Sequence, residues 1–550
     1  MSSENDTKAI TQKELKDVKE DSVVGPIAQT TTVDSMNEKQ GDIRYRNRVG
    51  DEIDITTIQP GTDKVYEAKI VLLNQAILDL GMGKYQWLTA LLTGFGWYID
   101  NFWLQAITII SPFVKAEFVV KRIAFLTVGK YVGLVLGSSL WPITADYIGR
   151  KPAFNITLGL SSVAGLIAAG SPNFTAITTL CAIVGLATGG NQPVDSAIFL
   201  ELIPASHQYL LTMQSAFWSV GQAVAVLIAW PLVANYSCPT STPAGECGYH
   251  QNLGWRYALW TYGGINFAMF VGRFVFPLHE SPKYLLGRGR DAKVVEVIHK
   301  IAAYNGATSW LTIDHFEQID REVASESSSA HQLTAKSVIR SNLAKFEPQK
   351  LKGLFSTPKM AFSTICMILL WCMIGMAYPL YNSFIPLYLA DKGVTSGNNT
   401  INSTYRTYCI QAVCGIPGSI IAGLAVDVRR IGRKGVGVLS CILTGVFLFL
   451  YTRANSSSAI LGFSCAISFF QNIVYGILYS YTPELFPAPI RGSGNGLVAV
   501  FNRFSGLAAP FIAAYVGVNN SPIWVSAGLF IVAGVVFAIL PYEMRGRAAA

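Results

Sequence analysis

Apolar runs of about 20 residues recur along the chain, separated by short polar or charged turns. A run of this length matches the number of helical residues needed to cross the hydrocarbon core of a membrane. Because a backbone in lipid must satisfy its own hydrogen bonds, each run predicts a helix. The pattern therefore predicts an all-α membrane protein with twelve transmembrane helices, at about residues 86–110, 123–143, 153–170, 174–203, 212–234, 257–278, 362–389, 405–426, 435–452, 458–481, 496–517 and 522–541.

The predicted spans form two six-helix halves, residues 73–278 and 362–545. Residues 1–72 are rich in Ser, Thr, Asp, Glu and Lys, a composition that predicts a disordered cytoplasmic tail because it cannot bury enough apolar surface. The segment 69–86 is amphipathic and is expected to lead along the membrane surface into the first span. Residues 279–361 predict a cytoplasmic linker with short helices, and 546–550 a second cytoplasmic tail.

The composition agrees with a membrane protein. Of 550 residues, 51% are hydrophobic and 14% charged, and the mean hydropathy is +0.37. Soluble globular proteins carry about 25% charged residues, so a soluble enzyme is excluded. The net charge is +8, but the basic residues lie between apolar runs rather than on one face, and nucleic acid is not an expected partner. No P-loop, H-E-x-x-H motif or nucleophile elbow stands in a usable context, so we expect no enzymatic activity, cofactor or metal.

The distribution of lysine and arginine predicts the orientation in the membrane. The short loops carry seven on one side and six on the other, and the membrane-near ends of the linker raise the first count to fifteen. By the positive-inside rule, the linker and both termini are then cytoplasmic. Four glycosylation sequons fall on the outer side, at Asn235, Asn398, Asn402 and Asn455, and they favour the secretory pathway. Among its membranes we favour the plasma membrane over vacuole or vesicle.

Two of the nine cysteines stand apart. Cys238 and Cys247 lie in a polar loop beside the Asn235 sequon, where an oxidising environment permits a disulfide. Whether the two are joined stays open at this point. The other seven lie inside apolar runs, where cysteine behaves as a small hydrophobe.

The chain contains an internal repeat with an offset of 283 residues. The run Gly149–Lys151 recurs as Gly432–Lys434, and Glu201–Pro204 recurs with one change as Glu484–Pro487. Two unrelated motifs with one offset indicate a duplicated six-helix unit. Many secondary transporters are built from such repeats, with the substrate between the halves near mid-membrane.

Several motifs resemble those of the major facilitator superfamily. The run GSSLWPITADYIGRK at 137–151 is similar to its loop signature between helices 2 and 3, and a second copy ends at 434. The runs HESPKYLLGRGR at 279–290, YTPELFPAPIRGSGNG at 481–496 and PYEMRG at 541–546 narrow the resemblance to the sugar-porter and synaptic-vesicle-protein-related branch. The run GLATGGNQPVDSAIFLELIP at 185–204 resembles its fungal members. The resemblance covers about residues 80–547 and implies the major facilitator fold.

The resemblance also implies that groups at these motifs lock and release the cytoplasmic gate. The residues that match are Asp146, Gly149, Arg150, Lys151, Glu201, Glu280, Asp427, Gly432, Arg433, Glu484 and Arg491. The other interpretation is that they are ordinary positive-inside charges. Two departures stand out: Pro142 occupies a glycine position of the signature, and Cys181 stands where many proton-coupled relatives carry an arginine.

Asp100 is a charged residue inside the first span, where charges are costly and usually face a cavity. It lies roughly 21 Å from the cytoplasmic end, at a depth similar to that of Lys130 in the second span. Two interpretations stay open: Asp100 binds substrate or protons, or it is a structural ion-pair partner of Lys130. For Asp195, near the cytoplasmic end of span 4, we favour a salt bridge at the gate.

Other polar side chains in the spans are candidates for contact with a polar solute. Gln222 resembles the glutamine with which sugar porters contact a hydroxyl, and it is equally suited to a hydrogen bond between helices. Tyr378 is either a cavity residue or part of an aromatic belt. The remaining candidates are Asn101, Gln105, Asn382, Gln471, Asn472 and Tyr475.

The sequence predicts a secondary active transporter of a small polar organic solute, such as a sugar, polyol or carboxylic acid. We expect alternating access, protons as the coupling ion, and a monomer in the lipid bilayer. The proton is implied by the resemblance and by Asp100. Two other functions stay open: an exporter of a secondary metabolite or drug, and a non-transporting nutrient receptor.

Overall fold

The structure is a computed structural model that describes residues 45–46, 52–53, 64–207, 210–239, 242–243, 245–323, 354–395, 400–425, 432–486, 488–517 and 519–541. The chain divides into two units, 1–45 and 46–550, and all described helices belong to the second. Two strands of two residues come first, β1 (Tyr45–Arg46) and β2 (Glu52–Ile53).

The first half and the helix before it contain α1 (Lys64–Leu80), α2 (Lys84–Glu117), α3 (Ala124–Ile148), α4 (Arg150–Ala168), α5 (Phe174–Thr188), α6 (Asn191–Leu202), α7 (Leu210–Met213), α8 (Ser215–Tyr236) and α9 (Gly254–Gly272). Short 3-10 turns occupy Ala205–His207 and Tyr249–Gln251. The linker contains α10 (Pro282–Gly287), α11 (Asp291–Asn305) and α12 (Ile313–Val323). The second half contains α13 (Pro358–Asn382), α14 (Ile385–Thr395), α15 (Ile401–Ala425), α16 (Gly432–Arg453), α17 (Ser457–Leu485), α18 (Ala488–Val516) and α19 (Asn520–Ile539).

The predicted fold class is confirmed: within the described residues the twelve predicted spans correspond to α2, α3, α4, α5 with α6, α7 with α8, α9, α13 with the start of α14, and α15 to α19. Seven helices among the described residues are long and apolar enough to cross a membrane by length and composition: α3, α8, α13, α16, α17, α18 and α19. The first span, α2, extends beyond the predicted 86–110 at both ends.

The prediction of a disordered tail up to residue 72 is wrong for residues 64–72, which form the first half of α1. Leu72 is fully buried, and Lys69 pairs with Asp291 of α11 at 2.5 Å and with Asp320 of α12 at 2.7 Å. Residues 1–72 are polar on average, so their composition did not reveal the short apolar face of α1 that the linker helices cover.

Span 4 is not one helix from 174 to 203, because it breaks between α5 and α6 at Gly189 and Gly190. A Cβ on Gly189 would lie 2.5 Å from the Leu134 carbonyl oxygen, and one on Gly190 would lie 2.3 Å from the Trp141 ring. Only glycine permits this approach of α3. After the break, α6 with its polar residues packs against α2.

Side-chain caps begin several helices. Asn173 accepts the Ala176 backbone N–H at 2.8 Å and starts α5, Thr357 caps α13 in the same way, and Ser456 caps α17. Each cap satisfies a backbone donor that the helix itself leaves unpaired. Because of the Thr357 cap, the second half begins at Pro358 rather than at 362.

The halves meet along two pairs of helices, α3 against α18 and α8 against α15. Their cores merge into one apolar cluster that contains Phe102 and Tyr262 from the first half and Tyr405 from the second. Below we call the end of the bundle that carries α10 to α12 the linker end. The opposite end, which carries Cys238 and Cys247, we call the loop end.

Candidate functional site

A buried carboxylate lies at the interface of the halves. Asp100 of α2 is 1% exposed, and its Oδ2 accepts a hydrogen bond from Trp218 Nε1 at 2.9 Å. Its Oδ1 has no hydrogen-bond partner in the part of the chain that the structure describes. Arg503 of α18 lies close enough to act electrostatically on this carboxylate, and its Nη2 donates to Gln192 Oε1 at 3.3 Å. A carboxylate of the first half and a guanidinium of the second thus lie near each other, although the two do not form a direct ion pair.

Aromatic rings lie beside Asp100 and Arg503. Trp218 lies 5.5 Å from Tyr475, and Tyr475 lies 5.0 Å from Tyr378, both in edge-to-face contact. Trp97 lies 5.4 Å from Tyr479, so rings of α2 and α8 meet rings of α13 and α17. Tyr378 therefore lies among aromatic rings of both halves. We call Trp97, Trp218, Tyr378, Tyr475 and Tyr479 the aromatic wall.

Lys130 does not pair with Asp100 within the described structure. Its Nζ donates to the Leu104 carbonyl at 3.1 Å and to Thr108 Oγ1 at 3.3 Å. Both partners lie on α2, one and two turns beyond Asp100 toward the loop end. The estimate of similar depth was close, but a full turn separates the two charges, so Lys130 does not neutralise the carboxylate.

A second polar chain runs from α2 to the other half. Asn101 donates to the Trp218 carbonyl at 2.8 Å and accepts from Gln105 at 3.3 Å. The Tyr408 hydroxyl of α15 donates to Gln105 Oε1 and also contacts Gln222 of α8. Gln222 of α8 lies beside this hydroxyl, but its amide nitrogen has no hydrogen-bond partner among the described residues, so both interpretations of Gln222 stay predictions.

The remaining candidates bond among themselves. Asn382 donates to Gln471 Oε1 at 2.9 Å, joining α13 to α17. Asn472 Oδ1 accepts from Ser219 at 2.8 Å and Ser419 at 3.4 Å, so its side chain ties α17 to α8 and α15. Of the predicted cavity residues, the structure brings Asp100, Tyr378 and Tyr475 together, and the amide residues connect helices around them.

Asp195 of α6 forms an ion pair with Arg273 at 3.7 Å, both almost fully buried. Arg273 also donates to the Phe154 carbonyl, so it links α6, α4 and the end of α9. A Cβ on Gly96 would lie 1.1 Å from Asp195 Oδ2, which shows how closely α6 packs on α2. The salt bridge favoured for Asp195 is present, and its partner was not foreseen.

At the linker end, a carboxylate holds the start of α4. Glu280 accepts the backbone N–H of Arg150 at 2.9 Å and of Lys151 at 3.3 Å. The turn before α4 requires Gly149, whose φ is +112°. The Arg150 guanidinium in turn lies 3.4 Å from the Glu201 carboxylate. Burial raises the pKa of Glu280, and the backbone N–H groups oppose that shift.

The second copy of this motif is described only in part. Gly432 has φ +64° at the start of α16, Arg433 follows it, and Lys434 Nζ donates to the Leu540 carbonyl at 2.7 Å. Asp427 lies outside the described residues, as do the side chains of Asp146, Glu484 and Arg491.

At the loop end, a disulfide joins Cys238 and Cys247, whose Cα atoms are 6.2 Å apart. Asn235, Asn402 and Asn455 are exposed at this end, and Asn398 lies outside the described residues.

Sequence reasoning missed Trp218, Gln192, Arg503, Arg273 and a buried pair of Glu117 with Arg256 at 2.6 Å. One signal in the sequence could have identified Arg503, because it is a charged residue inside the predicted span 496–517. The same reasoning identified Asp100 in the first span.

Comparisons with known proteins agree with this architecture. The family model described as "Sugar (and other) transporter" matches residues 68–548. The chain is 46% identical to "MFS siderochrome iron transporter 1" of Ceriporiopsis subvermispora, over 88% of this chain and 92% of that protein. It is 40% identical to "Major facilitator-type transporter hxnZ" of Emericella nidulans, over 89% of each chain. A partially occluded, inward-open structure of the xylose transporter XylE from E. coli has a TM-score of 0.60 at 14% identity, covering 84% of this chain and 100% of that one, and it shows the fold alone.

The family match and these relatives show a multi-pass membrane transporter rather than an enzyme. The chain belongs to the sugar (and other) transporter family of the major facilitator superfamily.

Proposed function

We propose that this protein moves a small organic carboxylate together with a proton by alternating access of a site at Asp100 and Arg503. The observation that supports this proposal is a buried carboxylate of one half, Asp100, that lies near a guanidinium of the other half, Arg503, beside the aromatic wall. Because the two charges belong to different halves, relative motion of the halves changes their distance. Substrate held between them is then released on the other side.

The choice of a carboxylate among sugar, polyol and acid rests on Arg503. A guanidinium presents donors that match a carboxylate in two-point geometry, whereas a sugar hydroxyl needs no positive charge. Trp218, Tyr378 and Tyr475 supply flat apolar surface, which suits a planar ring. A planar aromatic monocarboxylate satisfies both features.

The proton is assigned to Asp100. Its Oδ1 is buried without a hydrogen-bond partner among the described residues, and a carboxylate held out of water is costly unless protonated or paired. Neutral Asp100 leaves Arg503 available to the substrate, whereas charged Asp100 competes for it. Proton and substrate then favour each other's binding, and the linkage is reciprocal.

The relative named for siderochrome iron transport supports a second candidate substrate, an iron–siderochrome complex, because it is 46% identical over most of both chains.

We propose the orientation that the sequence predicts, with the linker cytoplasmic. The exposed sequon residues Asn235, Asn402 and Asn455 support passage through the secretory pathway, and among its membranes we propose the plasma membrane.

The test is uptake by proteoliposomes under an imposed pH gradient, with radiolabelled benzoate, pyridine-3-carboxylate, a hexose, a polyol and an iron–siderochrome complex. We expect uphill uptake of an aromatic acid. Arg503→Gln should raise its KM at least tenfold, about 1.4 kcal/mol, and Arg503→Lys less. Arg406→Gln, at an exposed arginine of α15 in the same half, is the control and should leave KM unchanged.

Asp100→Asn should abolish uphill accumulation and keep exchange between preloaded vesicles, since it mimics the neutral acid. Hexose or siderochrome uptake that is indifferent to Arg503→Gln would contradict the carboxylate proposal. Export of a solute in exchange for entering protons would indicate the exporter. No transport of any solute would indicate the non-transporting receptor.

A further inference from the structure

A cavity of about 640 Å³ opens at the linker end, outside the central site. It lies between the end of α3 and the helices α10 and α11. Tyr147 and Ile148 line it from α3, Tyr284 from α10, and Arg288, Arg290 and Lys293 from the start of α11 and the turn before it. We call it the linker pocket.

The linker pocket is basic. Its two carboxylates are already engaged: Glu280 by the backbone of Arg150, and Glu296 by Lys300 at 2.6 Å. Arg290 and Lys293 are exposed, so their charges are accessible to a ligand.

The start of α11 adds to this positive field. The N-terminus of this 15-residue helix carries partial positive charge, and its first acid, Asp291, is bound by Lys69 at 2.5 Å. Three cations and a helix N-terminus thus converge on one cavity.

The pocket continues into an apolar stripe on α3. Leu136, Leu140, Ile143 and Tyr147 are 56%, 50%, 43% and 50% exposed, at spacings of four, three and four residues. This spacing puts them on one face of the helix. On a spanning helix such a face contacts acyl chains, so a lipid lying along α3 would bring its headgroup to the pocket.

We propose that the linker pocket binds a phosphomonoester, carried by an anionic phospholipid whose acyl chains lie on the Leu136–Tyr147 stripe. Arginine and lysine clusters at the cytoplasmic membrane edge suit phosphorylated headgroups, and arginine bonds phosphate oxygens in pairs. The headgroup meets Arg288, Arg290 and Lys293. Arg288 Nη2 also donates to the Tyr147 carbonyl at 2.6 Å, which joins the pocket to the end of α3.

The experiment is a titration of the purified full chain in neutral detergent, followed by native mass spectrometry. The probes are dioctanoyl phosphatidylinositol 4-phosphate, dioctanoyl phosphatidylglycerol, inositol 1,4-bisphosphate and inorganic phosphate. We expect saturable binding of the phosphorylated lipid, weakened at least tenfold by Arg290→Gln with Lys293→Gln. The matched control, Lys84→Gln with Lys359→Gln, removes the same charge from exposed positions at the linker end and should change the affinity less than twofold.

Binding of inositol 1,4-bisphosphate as tight as that of the lipid would identify a soluble phosphate ester as the source of the phosphomonoester. Equal affinity for phosphatidylglycerol, which has no phosphomonoester, would overturn the proposal. So would equal weakening in the test and control variants, or the lack of saturable binding. Thermal unfolding of each variant separates lost binding from lost folding.

Discussion

The turn at Gly149 offers the sharpest test of the linker-end cluster. In Gly149→Ala the backbone must keep φ +112° and ψ 157°, a region that is essentially confined to glycine and costs about 1–3 kcal/mol for other residues. The new Cβ would also lie 2.5 Å from Glu280 Oε2 and 3.2 Å from Glu280 Cδ. The carboxylate must move, and it holds the backbone N–H groups of Arg150 and Lys151. Loss of one such charge-assisted bond adds about 1.5–3 kcal/mol, so the total is about 2.5–6 kcal/mol.

Gly306→Ala is the matched control. Gly306 ends α11 with φ +72°, and a Cβ there would meet nothing within 4 Å. Its cost is the left-handed strain alone, about 1–2 kcal/mol. The assay is the thermal unfolding midpoint of purified protein in detergent, and the drop for Gly149→Ala should be at least twice that for Gly306→Ala.

A double-mutant cycle separates strain from collision. In a Glu280→Ala background the collision is gone, so Gly149→Ala should then cost only the strain of about 1–3 kcal/mol. Equal midpoints for Gly149→Ala and Gly306→Ala, or an unchanged cost in the Glu280→Ala background, would refute the assignment of Glu280 as the group that holds the start of α4.

Three further predictions concern the buried pair, the loop end and the orientation. Asp195→Asn should destabilise the protein by about 3–5 kcal/mol because it leaves Arg273 buried and unpaired, and adding Arg273→Met should restore most of the thermal stability. Cys238→Ser should cost about 2–4 kcal/mol by opening a short covalent loop, and a reducing agent should lower the unfolding midpoint of the unchanged protein but not of the variant. In intact cells and a background without the free cysteines, an impermeant maleimide should label Asn455→Cys and spare Thr308→Cys; the reverse pattern would invert the orientation.

The number and order of the spans, the two halves and the glycine turn before α4 were readable from the sequence. Each of these features is determined by a local sequence pattern. An apolar run of about 20 residues predicts a membrane helix, and the Gly-Arg-Lys run, with a second copy at a constant offset, predicts the turn. The same locality explains the error at residues 64–72, where the apolar face of α1 is recognisable only against the linker helices that cover it.

The partners of the central charges were decided by the tertiary structure alone. Asp100 accepts a hydrogen bond from Trp218 and lies near Arg503. Both of these residues lie on other helices, and Arg503 lies in the other half. Lys130 does not pair with Asp100 because depth in the membrane fixes only one coordinate of a side chain. The other coordinates depend on the rotation of each helix about its axis and on how closely it approaches its neighbours. Helix rotation and close approach come from packing, and no local sequence pattern encodes them. At Gly185, for example, α5 approaches α3 so closely that an added Cβ would lie 2.3 Å from the Lys130 carbonyl oxygen.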